Sequence, residues 1–218
     1  MQIDFYEDRL RSLLKNLEKV LCEEETEIEG FLYKPCGYKA GNELPGTDGF
    51  LPFGPHDRWG GEEEAHAWFY KKLEIPEGMR GRNVVLRLDM PADSWSIANP
   101  QFLAYVNGSP VQGLDRNHDE IFLDNAGASY EIHIYAYLGF RDDWWEFHQS
   151  SDLLEFHARL CVYDENLLPL YYALSVAYET ALMLDPDERD SIDLKRRVEK
   201  AEFLELMGRH PRIRVVRL

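Results

Sequence analysis

The feature that most restricts this chain is a succession of short segments, from His66 to Val162, in which apolar and polar side chains alternate with a period of two. Turn-forming residues separate the segments, and no helical stretch intervenes. Phe69, Lys71, Leu73 and Ile75 share one face, against Trp68, Tyr70, Lys72 and Glu74 on the other, before Pro76-Glu77-Gly78 breaks the run. Val84, Leu86, Leu88 and Met90 alternate with Val85, Arg87 and Asp89. Phe102, Ala104 and Val106 lead into Asn107-Gly108, which supplies positive φ angles at low cost and predicts a tight hairpin into Pro110-Val111-Gln112. Ile121-Phe122-Leu123, then Ile132 to Leu138, then Leu154 to Val162 read as further strands. In the last, Leu154, Phe156, Ala158, Leu160 and Val162 oppose Glu155, His157, Arg159, Cys161 and Tyr163. Half-buried strands in series with no crossover helices predict an antiparallel sandwich of the jelly-roll kind.

Helical spacing flanks that block. Apolar residues at three-and-four intervals from Ile3 to Ile28 predict one amphipathic helix stopped by Gly30. Residues 31–64 hold many Gly and Pro residues and read as an irregular lead-in pinned by its aromatics. Past Asp164, a helix apolar on two sides runs to Asp185-Pro186, and a second follows with Leu194, Val198, Ala201 and Leu204 on one side. The expected organisation is thus α+β: a helix over 1–30, a sandwich over 31–163, a helical hairpin over 164–208 and a truncated linker over 209–218.

Composition narrows the partners. A formal net charge of −16 disfavours nucleic acid and anionic membranes, whereas a neutral ligand meets no such penalty. Three widely spaced cysteines, Cys22, Cys36 and Cys161, suit reduced thiols better than a disulfide framework. With no apolar leader or membrane-length run, the expected location is the cytoplasm.

Three pieces of text, Trp59-Gly60-Gly61, His66-Ala67-Trp68-Phe69 and Leu114-Asp115-Arg116-Asn117-His118, occur among these strands in an order that resembles the N-terminal region of glycoside hydrolase family 38 α-mannosidases. The strand series with Asn107-Gly108 is also similar to the galactose-binding-like sandwiches that accompany other glycosidases. The resemblance implies a parent enzyme that hydrolyses α-mannosides with retention, using zinc and an aspartate nucleophile on a separate domain opening with His-x-Asp. No His-x-Asp occurs in this sequence, so none of the family's catalytic or zinc-binding residues transfers to it. The chain itself is expected to be inactive and to hold no cofactor. Its expected role is a scaffold docked on the catalytic domain in cis, and through it on an α-mannoside substrate. An independent carbohydrate-binding module, and a homo-oligomer formed through the first helix, stay open.

Candidate contact residues are few. Asp115, Arg116, Asn117 and His118 offer an acid, a base, an amide and an imidazole in one loop, enough to hold sugar hydroxyls or simply to close a turn. The five tryptophans read first as core or interface residues; as stacking platforms, Trp95 and the Trp144-Trp145 pair are the better candidates because their neighbourhoods are polar. His66, at a strand start after Gly60-Gly61, reads as a corner residue. Adjacent carboxylates at Glu62 to Glu64 and Asp142-Asp143 lack any environment to split their pKa values, which general acid catalysis requires.

Overall fold

The computed structural model describes residues 5–38, 43–89, 100–115, 118–123, 126–143, 146–149, 153–183 and 192. It divides into two compact units, one of Met1–Glu23 with Tyr163–Leu218 and one of Glu24–Val162.

The larger unit is the sandwich. A six-stranded antiparallel sheet contains β2 (Phe31–Cys36), β3 (Leu51–Phe53), β5 (Ala65–Glu74), β7 (Gln101–Val106), β8 (Ser109–Leu114) and β10 (Ser129–Leu138), in the order β3-β2-β5-β10-β7-β8. A four-stranded sheet holds β1 (Cys22–Ile28), β6 (Val84–Asp89), β9 (Glu120–Leu123) and β14 (His157–Tyr163), in the order β1-β14-β6-β9. Two short pairs complete the set: β4 (Trp59–Gly60) with β13 (Leu153–Leu154), and β11 (Phe140–Asp143) with β12 (Glu146–Gln149). One core joins the two large sheets, Phe69, Ile134, Ala104 and Ala136 meeting Leu86, Leu88, Leu160 and Val162. Burying such residues at about 25 cal/mol per Å² drives the sheets together. The hairpin expected at Asn107-Gly108 is present, with φ of 49° and 83° at the two residues. The Asn107 carboxamide oxygen accepts the Glu131 N–H at 2.9 Å, tying the turn to β10.

Four expectations need correction. The first helix, α1, covers Phe5–Leu21 only, and Cys22–Ile28 is the edge strand β1. Ile28 falls seven residues after Leu21 and so fits a helical stripe by coincidence. The acidic run between them is instead paired across the sheet, Arg82 donating to Glu24 at 2.7 Å and Arg159 to Glu25 at 2.5 Å. Gly30, at φ 71°, turns the chain into β2.

The lead-in over 31–64 is not irregular, since β2, β3 and β4 all lie in it. Prolines hid them. β3 pairs only with Phe31 to Tyr33, so Pro35 lies beyond its partner, on an open edge where a missing N–H costs no ladder bond. Pro52 sits in the edge strand β3 itself.

The strand read from Leu154 to Val162 is two strands. Between them Phe156 turns into the core and stacks on Phe69 with centroids 4.0 Å apart and planes at 8°. Finally, Val85, which alternation places with Arg87 and Asp89 on the water-facing side of its strand, is buried, as is its register partner Cys161. The hairpin β11–β12 was not foreseen.

In the smaller unit, α1 buries Leu10, Leu17 and Leu21, and α2 (Leu167–Met183) buries Leu167 and Leu174. Arg11 Nε donates to the Tyr178 hydroxyl at 3.0 Å, linking the two helices. Asp164 caps α2: its Oδ1 accepts the N–H groups of Asn166 at 2.9 Å and Leu167 at 3.2 Å. The second helix of the expected hairpin lies outside the described residues, apart from Ile192.

Candidate functional site

The outer face of the six-stranded sheet is built from strand registers. Because side chains alternate, the partners of core residues on β2, β5, β10 and β7 point away from the core in cross-strand rows. One row reads Leu32, Tyr70, His133, Tyr105. The next reads Lys34, Trp68, Tyr135, Leu103, and the third Cys36, His66, Tyr137, Gln101. Aromatic or imidazole groups thus occupy the middle of all three rows.

The lead-in covers the first row. Phe50 lies edge-on to Tyr70 at 6.2 Å, and the His133 imidazole is bonded to the Pro45 carbonyl. Lys34 Nζ donates to the Asp48 carbonyl at 2.9 Å and stands 5.7 Å over the Phe50 ring. His133 is 7% exposed, and burial holds its pKa below the ordinary 6.5.

The third row is half-buried at Cys36, His66 and Tyr137 and exposed at Gln101, and with Tyr38 it forms a ledge. Tyr38, 80% exposed, meets His66 edge-on at 6.0 Å. The imidazole stacks on Tyr137 at 4.7 Å and on Tyr135 at 5.7 Å, with 2.7 Å from its Nδ1 to the Tyr135 hydroxyl. Tyr137 in turn reaches over Gly139, where a Cβ would overlap its hydroxyl and ring. Just before His66 the backbone is left-handed at Gly60 (φ 95°), Gly61 (φ 83°) and Glu64 (φ 54°). For Glu64 that conformation costs about 1–2 kcal/mol, and such strain collects where a side chain must be aimed. The exposed Glu64 carboxylate acts on both His66 and Tyr137.

Burial sets the ionisation of this surface. It lowers the His66 pKa against the opposing pull of Glu64, and raises the Tyr137 pKa with the help of Glu64. It also raises the Cys36 thiol, against Lys34. At neutral pH the ledge therefore offers uncharged imidazole, phenol and thiol groups beside one carboxylate. Both His66 and His133 titrate lower in the fold than the ordinary 6.5, so their contribution to stability is complete above about pH 6.5 and is lost as pH falls through the folded values. The urea midpoint is expected to drop between pH 7 and pH 5.5, and to drop less in His133→Gln; equal drops in the two proteins would contradict this.

The residues singled out in the sequence fare differently. Asp115 and His118 are bound to each other: Asp115 Oδ1 accepts the His118 N–H at 2.9 Å and lies 3.0 Å from its Nδ1. Backbone bonds between the same two residues, at 3.0 and 3.2 Å, close the turn. These contacts close the loop, and they leave the His118 side chain 69% exposed. Arg116, Asn117, Trp95, Trp144 and Trp145 lie outside the described residues. Trp59 is a core residue. Trp68 is buried within the outer-face rows, and His66 is no corner residue but the centre of the ledge. The alternation His66-x-Trp68-x-Tyr70 against His133-x-Tyr135-x-Tyr137 carried that signal.

A separate cleft of about 330 Å³ opens between Phe31, Phe53, Phe156 and the rim residues Glu27, Asp89 and His157. Two of its polar groups are engaged, Asp89 with Arg159 at 2.7 Å and His157 with Glu155 at 3.1 Å. Among the described residues, no group of three or more His, Cys, Asp or Glu side chains is placed to hold a metal ion. None of the described helices is long and apolar enough to cross a membrane.

No family model matches the chain, and no curated protein matches it. Among solved structures it is similar to an uncultured Clostridium sp. β-glucuronidase, at TM-score 0.43 and 11% identity over 66% of this chain and 30% of that one. A Faecalibacterium prausnitzii β-glucuronidase gives 0.42 and 9% over 65% and 32%. A candidate β-galactosidase of Bacteroides fragilis gives 0.44 and 16% over 65% and 23%. This chain spans less than a third of the length of each. Likeness of that degree bears on neither activity nor substrate; the sandwich rests on the strand order and the shared core described above.

Proposed function

We propose that the chain is an ancillary, non-catalytic module of a carbohydrate-active enzyme, a scaffold for a catalytic domain that also presents a sugar-facing surface. The observation that carries this reading is the half-buried row of His66 and Tyr137 with the exposed Tyr38 and with Tyr135 beside it, where ring faces and hydroxyls stand together and burial keeps the ionisable groups uncharged. Sugars present the complement: CH-rich faces that pack on rings, and hydroxyls that both donate and accept.

The finer assignment is a family 38 α-mannosidase as the parent enzyme, with zinc held by its catalytic domain. It rests on the resemblance at Trp59-Gly60-Gly61, His66-Ala67-Trp68-Phe69 and Leu114 to His118. Trp59 in the core and Asp115 with His118 in a closed turn are placements that suit a scaffold.

Calorimetric titration of the chain with manno-oligosaccharides tests the module reading. Saturable binding is expected, weakened tenfold or more by Tyr137→Ala, since stacking platforms carry much of the contact area. Undiminished binding by that variant, with the fold intact by circular dichroism, would remove the ledge from the account. Hydrolysis of aryl α-mannosides by the full-length enzyme, lost on chelation, is the expected result for the parent; activity only on other glycosides would contradict it.

A further inference from the structure

We propose that residues 43–50 form a displaceable strap over a second sugar subsite, the row of Tyr70 and His133, which an oligosaccharide seated on the ledge reaches by drawing Lys34 away from the strap. This deepens the carbohydrate reading of the same sheet face and rests on it.

Rings run without a break from the ledge to the strap. His66 and Tyr137 pack at 4.7 Å, Trp68 and Tyr135 at 5.2 Å, and Tyr70 and His133 at 4.7 Å, in three successive cross-strand rows. Contacts between the rows join them, His66 to Tyr135 at 5.7 Å and Trp68 to His133 at 6.4 Å. The step from His66 to Tyr70 along β5 is about 13 Å at the rise of a strand, more than one pyranose ring spans and within reach of a short oligosaccharide. The far end of this path also offers a hydrogen-bonding group. His133 is bonded to the Pro45 carbonyl through one ring nitrogen, and its Nδ1 has no partner among the described residues. In the neutral ring that nitrogen is an acceptor, the complement of a sugar hydroxyl.

The strap rests lightly on the face that it covers. None of residues 43–50 is fully buried, and Gly46 to Gly49 are exposed. Phe50 meets Tyr70 edge-on at 6.2 Å. Segments that bury so little apolar surface open at the low end of a protein's local stabilities. Lys34 is the latch. Beside Gly49, left-handed at φ 77°, its Nζ donates to the Asp48 carbonyl at 2.9 Å in a bond exposed to water, and it stands 5.7 Å over the Phe50 ring. Lys34 is also the register partner of Trp68, in the row between the ledge and the strap. A sugar crossing Trp68 and Tyr135 therefore brings acceptor oxygens to the same ammonium, and an ammonium drawn to the sugar leaves the Asp48 carbonyl and the Phe50 ring.

The test is the backbone order parameters of Gly46 to Phe50 in the full chain at pH 7, free and saturated with mannobiose or mannotetraose. Free and with mannobiose they are expected near the rigid value of about 0.85, and with mannotetraose below about 0.6. Lys34→Met, which keeps the apolar stem and removes the charge, should lower them to the same range with no sugar present. Mannotetraose is expected to bind wild type at least tenfold more tightly than mannobiose, and Tyr70→Ala, which takes a half-buried ring from beneath the strap, should cut that advantage to about threefold or less. Equal affinity for the two sugars, an advantage that Tyr70→Ala leaves intact, or a strap whose order is the same in the free protein, with mannotetraose and in Lys34→Met overturns the subsite and its latch while leaving the carbohydrate reading in place. Binding of neither sugar overturns both.

Discussion

Replacing Trp59 with alanine is expected to destabilise the sandwich by about 3–5 kcal/mol, the range for a large aromatic removed from a packed core. Trp59 is 1% exposed, and its ring lies 5.8 Å from both Phe69 and Phe102. The strand that carries it, β4, is two residues long and pairs only with Leu153 and Leu154. So short a ladder contributes little on its own, and the indole is what anchors this crossing to the core. A domain of this size has about 5–15 kcal/mol in total, so the loss should show as a large fall in the urea midpoint. A change under about 1 kcal/mol would mean that Trp59 is not buried as described.

Phe156→Ala should have a comparable effect, again about 3–5 kcal/mol. Its ring stacks on Phe69, meets Phe31 edge-on at 5.1 Å and lies 6.1 Å from Phe102. It also forms part of the wall of the 330 Å³ cleft, which deletion would enlarge. A cavity continuous with solvent can admit water, and that should place Phe156→Ala toward the lower end of the range, below Trp59→Ala. Thermal and urea unfolding of the two variants side by side checks the order.

How much of this was legible in the sequence depended on the range of the determining contact. The core alternations on β5, β6, β7 and β10 are local and were readable, as was Asn107-Gly108, where two positive φ angles are required in succession. The boundary at Leu21 was not, because the carboxylates that make 22–28 a strand find their arginines at positions 82 and 159. β2 and β3 were lost to a composition rule, since proline is harmless in the edge strand β3 and at Pro35, where β2 runs past the end of β3, and only the topology says where such positions fall. Phe156 kept its predicted inward face while the backbone around it broke into two strands, which periodicity alone cannot reveal.

The site shows the same limit. Single residues with suggestive chemistry were visible, and Asp115 and His118 turned out to satisfy each other. The ledge was missed because His66 and Tyr137 lie 71 positions apart and only the β5–β10 register makes them neighbours. His66 read as a corner residue, and Tyr137 as one more member of an alternating strand.

The most direct measurement is a map of which side chains feel an added sugar. Manno-oligosaccharide titrated into isotopically labelled protein, followed through the aromatic and imidazole resonances, should move His66, Tyr135 and Tyr137 together along one saturation curve, with Trp59 and the Asp115 to His118 turn unmoved. Shifts confined to the Phe31, Phe53 and Phe156 cleft, or to the Asp115 turn, would contradict the ledge as the sugar-facing surface.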